Sequence, residues 1–157
     1  MPTDVRAALE ALGEELPQAG RASPHFVPVA EHQGVVYVAG QIAFEDDGSL
    51  RHVGRLGEEV GVADGQAAAR RCALHLLAQL QAHLGSLERI ERVLKLQVYV
   101  ASAPGFVEQS LVANGASELL AAVLGEERAH TRTAIGVAAL PFGAVVELDA
   151  IVACRPA

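Results

Sequence analysis

Two kinds of side chain in this sequence are suited to a small polar substrate. A guanidinium fork holds a carboxylate through two parallel N–H bonds, fixing its orientation as well as its charge. A carboxylate within hydrogen-bond reach can activate water. Arg132 stands between Thr131 and Thr133, and Glu147 and Asp149 alternate along an otherwise apolar segment. Taken alone, Arg132 reads either as a solvated strand arginine or as a ligand-binding one, and Glu147 and Asp149 read as exposed strand residues. Other chemistries lack their spacing. His25, His32, His52, His75, His83 and His130 form no HxH or HxxxH pair for a metal. Cys72 and Cys154 lie far apart and read as buried small hydrophobes. Ser102 and the threonines offer hydroxyls without an ordered Ser-His-Asp set. Gly34, Gly40, Gly54 and Gly57 do not make a phosphate loop ahead of a helix, so nucleotide binding has no support.

The elements that position these groups can be read from periodicity. Residues 3–16 predict a short amphipathic helix, with Thr3 and Asp4 as N-caps and Val5, Leu9, Leu12 and Leu16 at helical spacing. Residues 29–39 predict two strands around His32-Gln33-Gly34, and residues 45–48 an acidic surface turn. Residues 64–84 form the clearest helix, capped by Asp64, stopped by Gly85, and carrying Ala69, Cys72, Leu76, Leu80 and Leu84 on one face. Leu94, Leu96, Val98 and Val100 alternate with polar residues as in a half-buried strand. A second helix is expected over 106–124, ending at Gly125, followed by strands over 131–140 and 144–153.

Pro141-Phe142-Gly143 between those last strands predicts a β-hairpin. Pairing residue 136 with 147 then sets Arg132 opposite Ile151 and puts Arg132 and Glu147 on one sheet face, roughly 13 Å apart at about 3.3 Å per residue. The expected class is α+β: one sheet with both main helices on one face. The other face, with small or apolar residues (Ala134, Gly136, Ala138, Ile151 or their alternates along the strands), invites association with further copies.

With 157 residues, of which 51% are hydrophobic, one domain spanning 1–157 is expected. No apolar run approaches the roughly 20 residues of a membrane-spanning helix, and the start lacks a signal peptide's basic and apolar blocks, so the expected compartment is the cytosol, without membrane attachment. A formal charge of −7 and a single lysine, Lys95, argue against a nucleic-acid binder.

The run from Thr131 through Leu140-Pro141-Phe142-Gly143 to Glu147-Leu148-Asp149-Ala150-Ile151 resembles the C-terminal signature of the YjgF/Rid family. Val36-Tyr37-Val38-Ala39-Gly40-Gln41 resembles the family's strand ending in Gly-Gln, and Val112-Ala113-Asn114 its second-helix asparagine. The resemblance covers residues 24–153. Gly65-Gln66-Ala67-Ala68-Ala69-Arg70 and Ala113-Asn114-Gly115-Ala116-Ser117 resemble a longer subgroup with an added N-terminal helix.

The resemblance implies a chorismate-mutase-like fold, a homotrimer, and ligand clefts between subunits. It further implies cofactor-independent hydrolysis of reactive enamines and imino acids to keto acids and ammonia. Arg132 would be the carboxylate clamp, Glu147 the residue that orients or activates water, Gly40 a close backbone approach to ligand, and Ala134 a main-chain contact. Asn114 would join them as a ligand-binding residue. Phe26 replaces the frequent tyrosine, Ala134 a frequent cysteine and Ala39 a frequent serine, which predicts a more apolar pocket. The alternatives are a non-catalytic trimer that binds small carboxylate metabolites and, more remotely, a ribonuclease or translation inhibitor.

Overall fold

The computed structural model describes residues 4–157. Helix α1 is Val5–Ala11, and the Asp4 side chain caps it by accepting from the Ala7 N–H at 3.0 Å. Thr3, the other expected cap, lies outside the described residues. The helix is shorter than the expected 3–16, because Gly13 takes φ +68° just beyond it. Strands β1 (Val29–His32) and β2 (Val35–Ile42) form an antiparallel hairpin. Both turn residues, Gln33 and Gly34, have positive φ, matching the twist of a tight hairpin.

Helix α2 (Val62–Leu84) begins earlier than expected: Gly61 is its N-cap, and Asp64 sits inside the first turn. Gly85 ends it in the left-handed conformation. Strand β3 is Ile90–Ala101 and α3 is Gln109–Leu124, starting three residues later than expected. Strands β4 (Thr131–Val137) and β5 (Val146–Cys154) complete one mixed sheet in the order β1-β2-β5-β3-β4.

The expected β4–β5 hairpin does not form. β4 pairs in parallel with β3, as a strand returning through a helix must, with α3 as the crossover. The segment after β4 carries Phe142 and Gly143 at positive φ, and it delivers β5 between β2 and β3, antiparallel to both.

One face of the sheet is dry. Val36, Val38, Leu96, Val98, Val100, Leu148, Ala150 and Val152 are buried beneath α2 and α3. By the two-residue period, Tyr37, Lys95, Gln97, Tyr99, Glu147, Asp149 and Ile151 point to the uncovered face. That face is therefore more polar than the small and apolar surface expected. Ala134 and Gly136 are not on it: they pair with Val98 and Val100 on the helix-covered side, and Ala138 lies beyond the strand. Among the described residues, no helix is long and apolar enough to cross a membrane.

The two helices meet without side chains between them at one point. A Cβ on Gly115 would overlap the Gln66 carbonyl oxygen and approach its carbon to 2.7 Å. Gln66 also donates from Nε2 to the Leu111 carbonyl at 2.8 Å. Because the obstacle is backbone, no rotamer change can relieve it. Gly115→Ala is expected to destabilise the fold by about 1–3 kcal/mol or more, read as a lowered urea midpoint.

Candidate functional site

Arg132 leaves β4 on the helix-covered side, level with Leu96, and its guanidinium is held by α3. Nη1 donates to Asn114 Oδ1 at 2.9 Å and to Ser117 Oγ at 3.0 Å. Nη2 donates to the Ser110 carbonyl at 3.2 Å and to Ser110 Oγ at 2.8 Å. Ser110, Asn114 and Ser117 fall at helical spacing on one α3 face, which is why a single side chain reaches all three. Ser117 also shares a 3.0 Å hydrogen bond with His130 Nε2. Burial and the charge of Arg132 both push His130 below the usual histidine range, favouring the neutral ring. The cage fixes the arginine's position and, among the described residues, leaves Nε–H without a partner. A carboxylate can take Nε–H and displace the exposed Ser110 contact from Nη2, making a side-on two-bond pair.

Glu147 belongs to a different place. It lies opposite Tyr99 on β3 and Ile42 on β2, on the uncovered face. The register of β5 therefore sets Glu147 and Arg132 on opposite faces of the sheet, against the shared face expected from a hairpin. The β2–β5 register shifts between Val38 and Gln41, so Gly40 lies in a bulge beside Glu147. A Cβ at residue 40 would collide with the Glu147 carboxylate. Glycine is what lets that carboxylate lie against the strand.

Among the described residues the Glu147 side chain has no hydrogen-bond partner, whereas its neighbour Asp149 is well held. Asp149 accepts from Gln97 Nε2 at 2.8 Å and from the Tyr99 hydroxyl at 2.9 Å. Partial burial, and secondarily the Asp149 charge, raise the Glu147 carboxyl above its usual range. The result is a carboxylate with free acceptor capacity and increased affinity for a proton.

Phe26 and Gly40 line one cleft of about 610 Å³, together with Phe44, His75, Gln79 and Arg21. The Phe26 ring is 62% exposed. Ala134 lies two residues from Arg132 on the same side of β4, packed against the core. The six residues singled out in the sequence are thus not brought together: Arg132 groups with Asn114 and Ala134, Glu147 lies against Gly40, and Phe26 shares with Gly40 a cleft that Glu147 does not line. Ser110, Ser117 and His130 were missed. Their signal was available in the helical spacing of the two serines and the asparagine, but only the pairing of β4 with β3 turns Arg132 toward that helix. Among the described residues, no three His, Cys, Asp or Glu side chains converge as a metal site.

The endoribonuclease L-PSP family profile matches residues 16–154. Protein TCP17 of Trypanosoma cruzi is 49% identical over 149 residues, covering 94% of this chain and 92% of that protein. The crystal structure of Atu1372 from Agrobacterium tumefaciens, a protein of unknown function, superposes with a TM-score of 0.89 at 46% identity, over 97% of this chain and 94% of that one. RidA from the Antarctic bacterium Psychrobacter sp. superposes with a TM-score of 0.61 at 26% identity, over 89% and 99%.

The unpaired Glu147 carboxylate has a consequence for stability. Its folded-state pKa lies above the ordinary value, so the folded chain binds more protons than the unfolded one as pH falls toward it, and ionisation at neutral pH opposes folding. Glu147→Gln is therefore expected to raise Tm at pH 7, and the difference should shrink as pH falls through the raised pKa. Thermal scans across pH check this.

Proposed function

The chain belongs to the endoribonuclease L-PSP family, the YjgF/Rid family that its sequence resembles, and from that premise we propose that it is a cofactor-independent enamine/imine deaminase acting in the cytosol. The observation that carries the reading is the pair of complementary half-sites: a guanidinium oriented by α3 and, across the sheet, an unpaired carboxylate against Gly40. One ligand cannot touch both within one chain. The family resemblance implies a homotrimer, and in this reading each cleft is formed by the Arg132 side of one copy and the Gly40–Glu147 side of the next.

In that cleft Arg132 binds the substrate carboxylate and sets the C=N carbon in position. Glu147 takes a proton from water as the hydroxyl oxygen bonds to that carbon. The C=N π pair moves to nitrogen, which takes the proton from Glu147. Glu147 then removes the carbinol O–H proton as C=O forms and passes it to the nitrogen as the carbon–nitrogen bond breaks, releasing ammonia and leaving the keto acid. Phe26 and the cleft beside Gly40 favour substrates with an apolar side chain.

A second reading, a non-catalytic trimer that binds small carboxylates, draws support from Phe26, whose exposed ring lacks a hydroxyl to donate to a ligand. An RNA-directed activity, which the family's description names, has less support. The formal charge is −7, and the one lysine, Lys95, is hydrogen-bonded to Thr133.

Imino acids generated by an amino-acid oxidase, with semicarbazide as a competing trap, test the proposal. Wild type is expected to shorten their lifetime, and Arg132→Ala and Glu147→Gln to lose roughly 10²–10⁴-fold of that effect. Equal lifetimes with and without wild type would favour the binding reading. The base works deprotonated, so the acid limb of the rate profile should lie above the ordinary glutamate value of about 4.3. Asp149→Asn removes a negative neighbour and should move that limb to lower pH.

A further inference from the structure

Beyond Arg132, on the side away from Ser110, a separate cavity of about 300 Å³ opens between the C-terminal half of α3 and the start of β4. Arg128, His130 and Arg132 line it, and among the described residues no carboxylate does. In a chain of net charge −7 with 12 lysines and arginines, such a grouping needs an explanation.

Arg128 is the unusual member. Its side chain is 14% exposed, yet its five N–H donors find little. Nη1 donates a long 3.5 Å hydrogen bond to the Ile90 carbonyl, and Nε forms a 3.7 Å ion pair with the 70% exposed Glu127 carboxylate, which leaves most of its donors for a ligand. The negative end of α3 favours a cation here but supplies no acceptor at bonding distance. Largely buried guanidinium groups are normally matched by oxygen acceptors. The remaining wall is apolar, formed by Leu120, Ala121, Leu124 and Ala129.

We propose that this cavity takes a second anion, a short-chain monocarboxylate whose head meets Arg128 and His130 and whose apolar end lies against Leu120 and Leu124, with Arg132 as the wall it shares with the imine-binding cleft. The cavity is at the small end of ligand sites, room for an acid of a few carbons. The site does not depend on imine hydrolysis.

The test titrates full-length protein with sodium butyrate and follows the backbone amides of Gly125 and Ala129 by ¹H–¹⁵N NMR. Saturable shifts are expected at these amides, with acetate roughly tenfold weaker for want of two methylenes. Arg128→Gln should weaken butyrate by about tenfold or more. Ala121→Leu, which fills the cavity while retaining both arginines and His130, should abolish the shifts. Absent shifts in wild type, or undiminished binding by both variants, would overturn the site. Inorganic phosphate binding as tightly as butyrate would overturn the carboxylate assignment. A wild type inert toward imino acids would remove the deaminase reading and leave the butyrate result standing, so the two fail separately.

Discussion

The close approach of α2 and α3 at Gly115 is the constraint from which the rest follows. Backbone meets backbone there, and the Gln66 side chain ties the contact to the Leu111 carbonyl. With α3 so placed, Ser110, Asn114 and Ser117 overlie the level of the sheet where Arg132 emerges. A wider gap between the helices would swing that face of α3 away from the arginine. The same packing keeps Leu119, Leu120 and Val123 in the core.

The pleat then divides the chemistry. Alternate residues of β5 go to opposite faces, so Leu148 joins the core while Glu147 and Asp149 face outward. These two carboxylates differ in surroundings, not in type. Gln97 and Tyr99 occupy Asp149, whereas Gly40 offers Glu147 a surface and no donor. Burial of a carboxylate that lacks hydrogen-bond donors favours its protonated form.

Local pattern made much of the fold legible. The alternation over 94–100 marked β3, Gly85 and Gly125 marked helix ends, and His32-Gln33-Gly34 marked a hairpin. Partner choice was not legible, because pairing is non-local. Pro141-Phe142-Gly143 has the residues of a tight turn, and nothing nearby reveals that β5 enters the sheet two strands away from β4. That one error carried into the site, since the face Arg132 occupies depends on pairing with Leu96, not Ile151. The cap of α2 was misread for a smaller reason: Gly61 begins the helix unaided, and Asp64 contributes its charge to the first turn.

The sheet order has a consequence for biosynthesis. The strand that joins β2 to β3 is β5, the fifth of five to leave the ribosome. Until it emerges, the β1–β2 hairpin and the β3–α3–β4 unit have no strand between them, and their apolar faces have only α2 in common. Closure of the sheet must wait for these long-range pairings, and non-local pairing of this kind slows folding. The nascent intermediate exposes unpaired edges on both β2 and β3, the condition in which chaperone capture competes with aggregation.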